Sequence, residues 1–212
     1  MSNITDNYKL IVDRLEHIIY DNIVVKLASY SGFNKSLNDD YEGSIKSFPL
    51  LFYIVESLQV DNVLTVYKIV HNREERTIHY LLKYAKENIS ILSTKYPNLS
   101  TDILIKHEKA LADVAEHVNR IKTQRDKYYA HSDKEYFLEP GNLLMDFPNT
   151  YDDLVNISIK LQGVISDHRE IVYGNRRVCI SDFVYLNTFR TIEFLKDASK
   201  EWHNKYRPNE PY

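Results

Sequence analysis

Ser100-Thr-Asp-Ile-Leu-Ile-Lys-His-Glu-Lys-Ala-Leu-Ala-Asp-Val-Ala-Glu-His-Val-Asn-Arg-Ile-Lys-Thr-Gln-Arg125-Asp-Lys-Tyr-Tyr-Ala-His131 is the stretch whose pattern decides the fold. Leu104, His107, Leu111, Val114, Val118 and Ile121 recur at spacings of three and four, the stripe of a helix packed along one face. Ser100-Thr101-Asp102 supplies the oxygen acceptors that cap a helix start. Continuing the stripe lands on Arg125 and then Tyr128. A guanidinium thus replaces an aliphatic side chain on the face that is buried or shared with a partner. Burying an unpaired cation is costly, so Arg125 needs an anionic partner, a route to solvent or a substrate phosphate. His131, able to carry a proton near neutral pH, follows six residues later. The pair points to phosphodiester chemistry more than to packing alone.

The rest of the chain repeats the helical period. A first helix is predicted from about Asp6 to Ser29, with Tyr8, Ile11, Leu15, Ile18, Asn22 and Val25 on one stripe, then a polar turn over Ser31–Ser36 and Asn38–Asp40. A second starts near Ser47, with Pro49 tolerated in its first turn. Its apolar residues from Leu51 to Val70 cover more than one face, the mark of a central helix. A third carries Ile78, Leu81, Leu82, Ala85, Ile89 and Leu92 and stops before Pro97. The motif helix spans about 100–131, and a loop with three turn-formers spans about 135–149. Helices follow from roughly Tyr151 to Val172 and from about Ser181 to Trp202. Five glycines and six prolines are few for 212 residues, and most stand at the breaks between periodic segments. The expectation is one all-α domain over 1–212, a helical bundle. A chain of this length buries roughly 70% of its extended surface.

The net charge of −3 excludes a generally basic nucleic-acid coat but leaves room for one basic groove. Between His117 and His131, Arg120, Lys122, Arg125 and Lys127 stand against Asp126 alone. A second cluster, His168-Arg169 and Arg176-Arg177, flanks a turn at Gly174-Asn175 and is either a steering patch or a solvated face. The single cysteine, Cys179, excludes an intrachain disulfide and an all-cysteine metal site. The start Met-Ser-Asn-Ile-Thr-Asp lacks the features of a signal peptide, and the apolar run Phe48–Val55 is too short to span a bilayer. A soluble cytoplasmic protein with no membrane partner is expected.

No cofactor or metal motif emerges. No histidine has Glu three residues before it, no His-Glu-x-x-His pair occurs, and there is no Walker or Rossmann loop. His71 and His79, eight apart, read as surface or partly buried structural residues, and Trp202 with the C-terminal tyrosines as core and interface. On an ideal helix, Arg125 and His131 point about 120° apart and lie about 9 Å apart along the axis. A joint site therefore needs either His131 folding back beyond Ala130 or a twofold axis bringing two motifs together. The stripe leading to Arg125 would suit a self-complementary dimer surface.

Arg125-Asp-Lys-Tyr-Tyr-Ala-His131, on the fourth helix of a bundle, resembles the signature of the HEPN superfamily. That signature is an arginine, a polar residue, a few further positions and a histidine. The ending Tyr-Ala-His131-Ser-Asp133 resembles, more narrowly, the abortive-infection branch of AbiU type. The resemblance implies a four-helix core with about two additional helices and a metal-independent endoribonuclease acting as a homodimer. Arg125 would hold the scissile phosphate, His131 would transfer protons, and Asp126 would orient either of them. The ribose 2′-hydroxyl would attack phosphorus and leave a 2′,3′-cyclic phosphate. Arg120, Lys122, Lys127 and Tyr128 are the accompanying candidate contacts to RNA.

Many toxin members of the superfamily carry a tyrosine two residues beyond the histidine, which a partner nucleotidyltransferase modifies with AMP. Asp133 stands there in this chain, which puts that form of neutralisation in doubt and leaves an antitoxin or nucleotidyltransferase partner open. Two rivals stand beside the ribonuclease. One is a non-catalytic HEPN module binding RNA, a nucleotide or a partner protein, which need keep neither Arg125 nor His131. The other is a structural bundle whose motif match is coincidence.

Overall fold

The computed structural model describes residues 2–38, 49–71, 76–130, 145–148 and 150–207, with the backbone alone at 2, 37, 38, 49, 52 and 128–130. Its helices are α1 (Ser2–Glu16), a π-helical segment (His17–Val24), α2 (Val25–Asn38), α3 (Pro49–Val70), α4 (Ile78–Glu87), α5 (Ile89–Lys95), α6 (Thr101–Ala112), α7 (Ala115–Gln124), a second π-helical segment (Arg125–Ala130), α8 (Thr150–Tyr173) and α9 (Ser181–Tyr206). No strand occurs among the described residues, and the all-α expectation holds. The chain divides into two compact units. One takes Met1–Ile23 and Asn62–Val178, the other Val24–Asp61 and Cys179–Tyr212.

The first unit is built around α8, which packs on α1, α6 and α7. Leu154, Ile157, Leu161, Val164, Ile165 and His168 are buried on it at the three-and-four spacing that puts side chains on one face. Each fully buried Leu or Ile contributes about 1.5–3 kcal/mol. Facing them are Tyr8, Val12 and Leu15 of α1, and Leu104, His107 and Leu111 of α6. Val114 and Ile121, further along the motif stripe, are buried as well. The stripe is therefore core within the protomer, and most of it is not available as a dimer surface, contrary to the expectation above. The expected central position of the second helix also shifts. Only its second half, in α3, is buried (Val63, Val66, Tyr67, Ile69 and Val70), while Leu50 and Tyr53 are exposed.

Helix ends follow the local chemistry. Ser100 Oγ accepts from the Ile103 amide at 3.3 Å, and Thr77 Oγ1 accepts from that of Tyr80 at 3.2 Å. The expected third helix is two, broken at Asn88, whose side-chain amide donates to the Tyr84 carbonyl at 2.9 Å and so competes with the helical ladder. The motif helix breaks similarly at Asp113–Val114, where the Val114 amide bonds to Leu111, three residues back, at 3.3 Å. Gly174 ends α8 at φ +72°, its amide donating to the Glu170 carbonyl at 2.8 Å, as the turn signal predicts.

In the second unit, α2 and α9 pack closely. The polar turn expected at Ser31–Ser36 is instead helix through Asn38, because tertiary packing overrides the local signal. Ser36 is buried, its hydroxyl donating to Glu193 and its carbonyl accepting from Lys196. Gly32 permits the contact: a Cβ there would lie 2.9 Å from both Thr188 Cβ and the Tyr185 carbonyl oxygen. Trp202 and Tyr206 are exposed and ring-paired at 5.5 Å, not core.

The two helical glycines predict opposite outcomes. Gly32→Ala forces α2 off α9 and should lower stability by about 1–3 kcal/mol of overpacking, less the ~1 kcal/mol of helix propensity regained. Gly163→Ala on α8 meets nothing within 4 Å and should raise stability by about 0.5–1 kcal/mol. Thermal melts of the two variants check both signs.

Candidate functional site

Arg125 begins the second π-helical segment, directly after Gln124, which is buried at the end of α7. Gln124 Oε1 accepts from Thr150 Oγ1 at 3.1 Å, tying the residue before Arg125 to the first turn of α8. Two turns earlier, Asp153 of α8 takes Arg120 Nε at 2.8 Å, Arg120 Nη2 at 2.6 Å and His117 Nδ1 at 2.6 Å. Burial raises the Asp153 carboxyl, but the hydrogen bonds from Arg120 and His117 outweigh it and hold the group below the usual carboxylate range. The helix that delivers Arg125 is clamped at both positions. The i→i+5 turn that follows replaces the α-helical turn on which the 120° separation from His131 was based.

The Arg125 side chain is neither free nor buried outright. Its guanidinium lies over the Tyr67 ring at 4.2 Å from the centroid, and Nη2 pairs with Asp126 Oδ1 at 3.1 Å. At 26% exposure it has all three of the things an arginine on a buried stripe requires: an aromatic seat, a carboxylate and an opening to solvent. The opening is a cavity of about 580 Å³, within the range that takes a small ligand. Tyr67, Lys122, Arg125 and Asp126 line it, and so do His71, His79, Glu108, Val118 and Asn119.

The two histidines are the part that sequence reasoning missed. His71 follows the last turn of α3 and His79 lies in the first turn of α4, and both line the cavity. The His71 ring lies 5.0 Å from that of Tyr67, the same phenol that seats Arg125. Burial holds the His79 imidazole below its ordinary value, with the neighbouring charge of His71 acting in the same direction and a hydrogen bond to the Val70 backbone opposing. The Glu108 carboxylate on the cavity wall is engaged by Lys86 Nζ at 3.0 Å. The cavity thus presents Arg125 and Lys122 as cations beside two imidazoles, a set suited to an anion that exchanges protons.

A family model described as HEPN-AbiU2 matches residues 5–204, nearly the whole chain. The chain belongs to the HEPN-AbiU2 family. No curated protein and no solved structure matches it.

Placed on this AbiU2-family fold, the candidate residues separate. Arg125, Asp126 and Lys122 share the cavity. Arg120 does not line it, being held by Asp153 in a fork-like pair. Lys127 is exposed on the π-helical segment, and Tyr128 is described by its backbone only. His131 and Asp133 lie outside the described residues, as do the loop residues 135–144. The second basic cluster is matched by carboxylates. Arg169 pairs with Glu16 at 2.6 Å, Arg176 with Glu170 at 2.6 Å and Asp167 at 3.0 Å, and Arg177 with Glu16 and Asp21. Those residues form a structural ion-pair network of the first unit. Among the described residues, no group of three or more His, Cys, Asp or Glu could hold a metal ion, and no helix is long and apolar enough to cross a membrane.

Proposed function

We propose that this AbiU2-family protein is a metal-independent endoribonuclease of HEPN type, acting as a homodimer in abortive infection or as a toxin. The observation that carries the reading is the seat of Arg125: a guanidinium stacked on Tyr67, open to a cavity of about 580 Å³ and accompanied there by Lys122 and two histidines. Such a group holds a phosphodiester and offsets the negative charge that grows on its oxygens during transphosphorylation. His131 completes the motif as a proton-transfer residue, with Asp126 orienting Arg125. Lys122 in the cavity, with Lys127, Arg120 and Tyr128, are the further contacts to RNA in this reading. A neutralising antitoxin or nucleotidyltransferase belongs to it as well, although Asp133 removes the tyrosine such a partner modifies in many HEPN toxins.

The dimer of this reading places two Arg125 cavities across a shared cleft near α7. Of the stripe, Val118 is not spent on the core, and with Ala115 and Asn119 beside the cavity it is the part of α7 left for that surface. Purified protein is expected to cut single-stranded or structured RNA in EDTA and to leave 2′,3′-cyclic ends. Sedimentation at tens of micromolar is expected to give a dimer. Cleavage that vanishes with chelator and returns with magnesium, or a monomer with full activity, overturns the corresponding part.

A further inference from the structure

We propose that His71 is the proton-exchanging side chain of the Arg125 cavity: a phosphate held by Arg125 and Lys122 lies against its imidazole and trades a proton with it. Tyr67 carries the Arg125 guanidinium at 4.2 Å and the His71 ring at 5.0 Å, and all three residues line one cavity. An anion bound to the guanidinium would share that cavity with the His71 imidazole.

The second observation concerns the ring itself. His71 Nδ1 is buried and has no hydrogen-bond partner among the described residues. His107 Nδ1 and His168 Nε2 in the core are unsatisfied as well, so what sets His71 apart is its place on the cavity wall beside the phenol that seats Arg125. His79, by contrast, is held below its ordinary value by its burial, with a hydrogen bond to the Val70 backbone opposing. Among the described residues, the remaining charged groups on the walls are Glu108, engaged by Lys86, and Asp126, paired with Arg125. Among the described residues no carboxylate is bonded to His71 Nδ1, so an anion in the cavity would be a charge partner for the ring.

The chemistry needs such a group. In cleavage through a cyclic phosphate, the 2′-hydroxyl loses a proton as its oxygen bonds phosphorus, and the 5′-oxygen gains one as its bond to phosphorus breaks. No water or oxidant is consumed, but a base and an acid are required, and the motif supplies one imidazole per copy. His71 supplies another from a different helix of the same protomer. The cleavage role rests on the ribonuclease reading, whereas the pairing of His71 with a bound anion does not.

The test separates the two. Protein labelled with ¹⁵N-histidine is titrated with pH, with and without inorganic phosphate, and the His71 signal is assigned by its loss in His71→Gln. Phosphate is expected to raise the proton affinity of His71 about tenfold or more, and to have no such effect in Arg125→Ala. RNA cleavage by His71→Gln is expected to fall ~10²–10⁴-fold and to lose one limb of its pH profile, with an unchanged melting temperature. Phosphate that fails to bind, or binds without moving His71, overturns the proposal. A His71→Gln enzyme with the wild-type rate and pH profile overturns its catalytic half. If wild-type protein cleaves no RNA while phosphate still shifts His71, the ribonuclease reading falls and the anion pairing stands.

Discussion

Arg125→Ala is expected to slow RNA cleavage by roughly 10²–10³-fold, the usual cost of removing a preorganised donor from a developing oxyanion. His131→Ala is expected to cost ~10²–10⁴-fold through loss of proton transfer. The fold should survive the first change. Arg125 gives up a stacking contact with Tyr67 and an ion pair with Asp126, at a site open enough that the loss is about 0.5–1 kcal/mol. Arg125→Lys keeps the charge but not the planar fork, and should fall between Ala and wild type. Asp126→Ala should also be intermediate if the carboxylate only orients the guanidinium. Rate is compared with melting temperature for each variant. Variants at Arg125 and His131 that melt far earlier than wild type yet cleave RNA normally make the motif structural and sink the ribonuclease reading.

The helical class and the place of Arg125 were legible because both rest on spacing. The stripe from Leu104 to Ile121 reports which face is buried, and a cation on that face reports that something must answer its charge. Breaks that depend on one side chain competing with the backbone, as at Asn88, are harder to read, since asparagine sits inside many helices. Gly32 and Ser36 misled for a different reason: turn-forming residues also permit close helix contact, and only α9, some 150 residues away, distinguishes the two uses. His71 and His79 had no periodic signal at all. Their place beside Arg125 depends on how α3 and α4 pack against α6 and α7, and eight residues of spacing say nothing about that.

Stability should fall as the pH drops below about 6.5, and the chief cause is His168. Its ring is fully buried, and Nδ1 lies 2.6 Å from the Tyr8 hydroxyl. Burial also holds the Tyr8 phenol protonated, so the phenol and the neutral ring share one hydrogen bond at Nδ1. The adjacent His107 ring, 5.0 Å away, gives its Nε2 to Asp167 at 3.0 Å. The run Tyr8, His168, His107, Asp167 therefore accommodates neutral imidazoles, and desolvation first, then the charge of His107, lowers His168 to about 3. A histidine depressed in the folded state binds its proton more readily when unfolded. Its contribution is intact above about 6.5 and is lost as pH falls from there toward about 3, at up to about 1.4 kcal/mol per pH unit. His79 and His107 are lowered too and add in the same direction, followed at lower pH by Asp153 and Asp167. Melting temperature is expected to be flat between pH 7 and 9 and to decline steadily from 6.5 to 4. His168→Gln keeps a donor and an acceptor for Tyr8 without a titrating group, so whatever its melting point at pH 8, its decline below 6.5 should be shallower. An identical slope in that variant would show that the acid sensitivity lies elsewhere in the core.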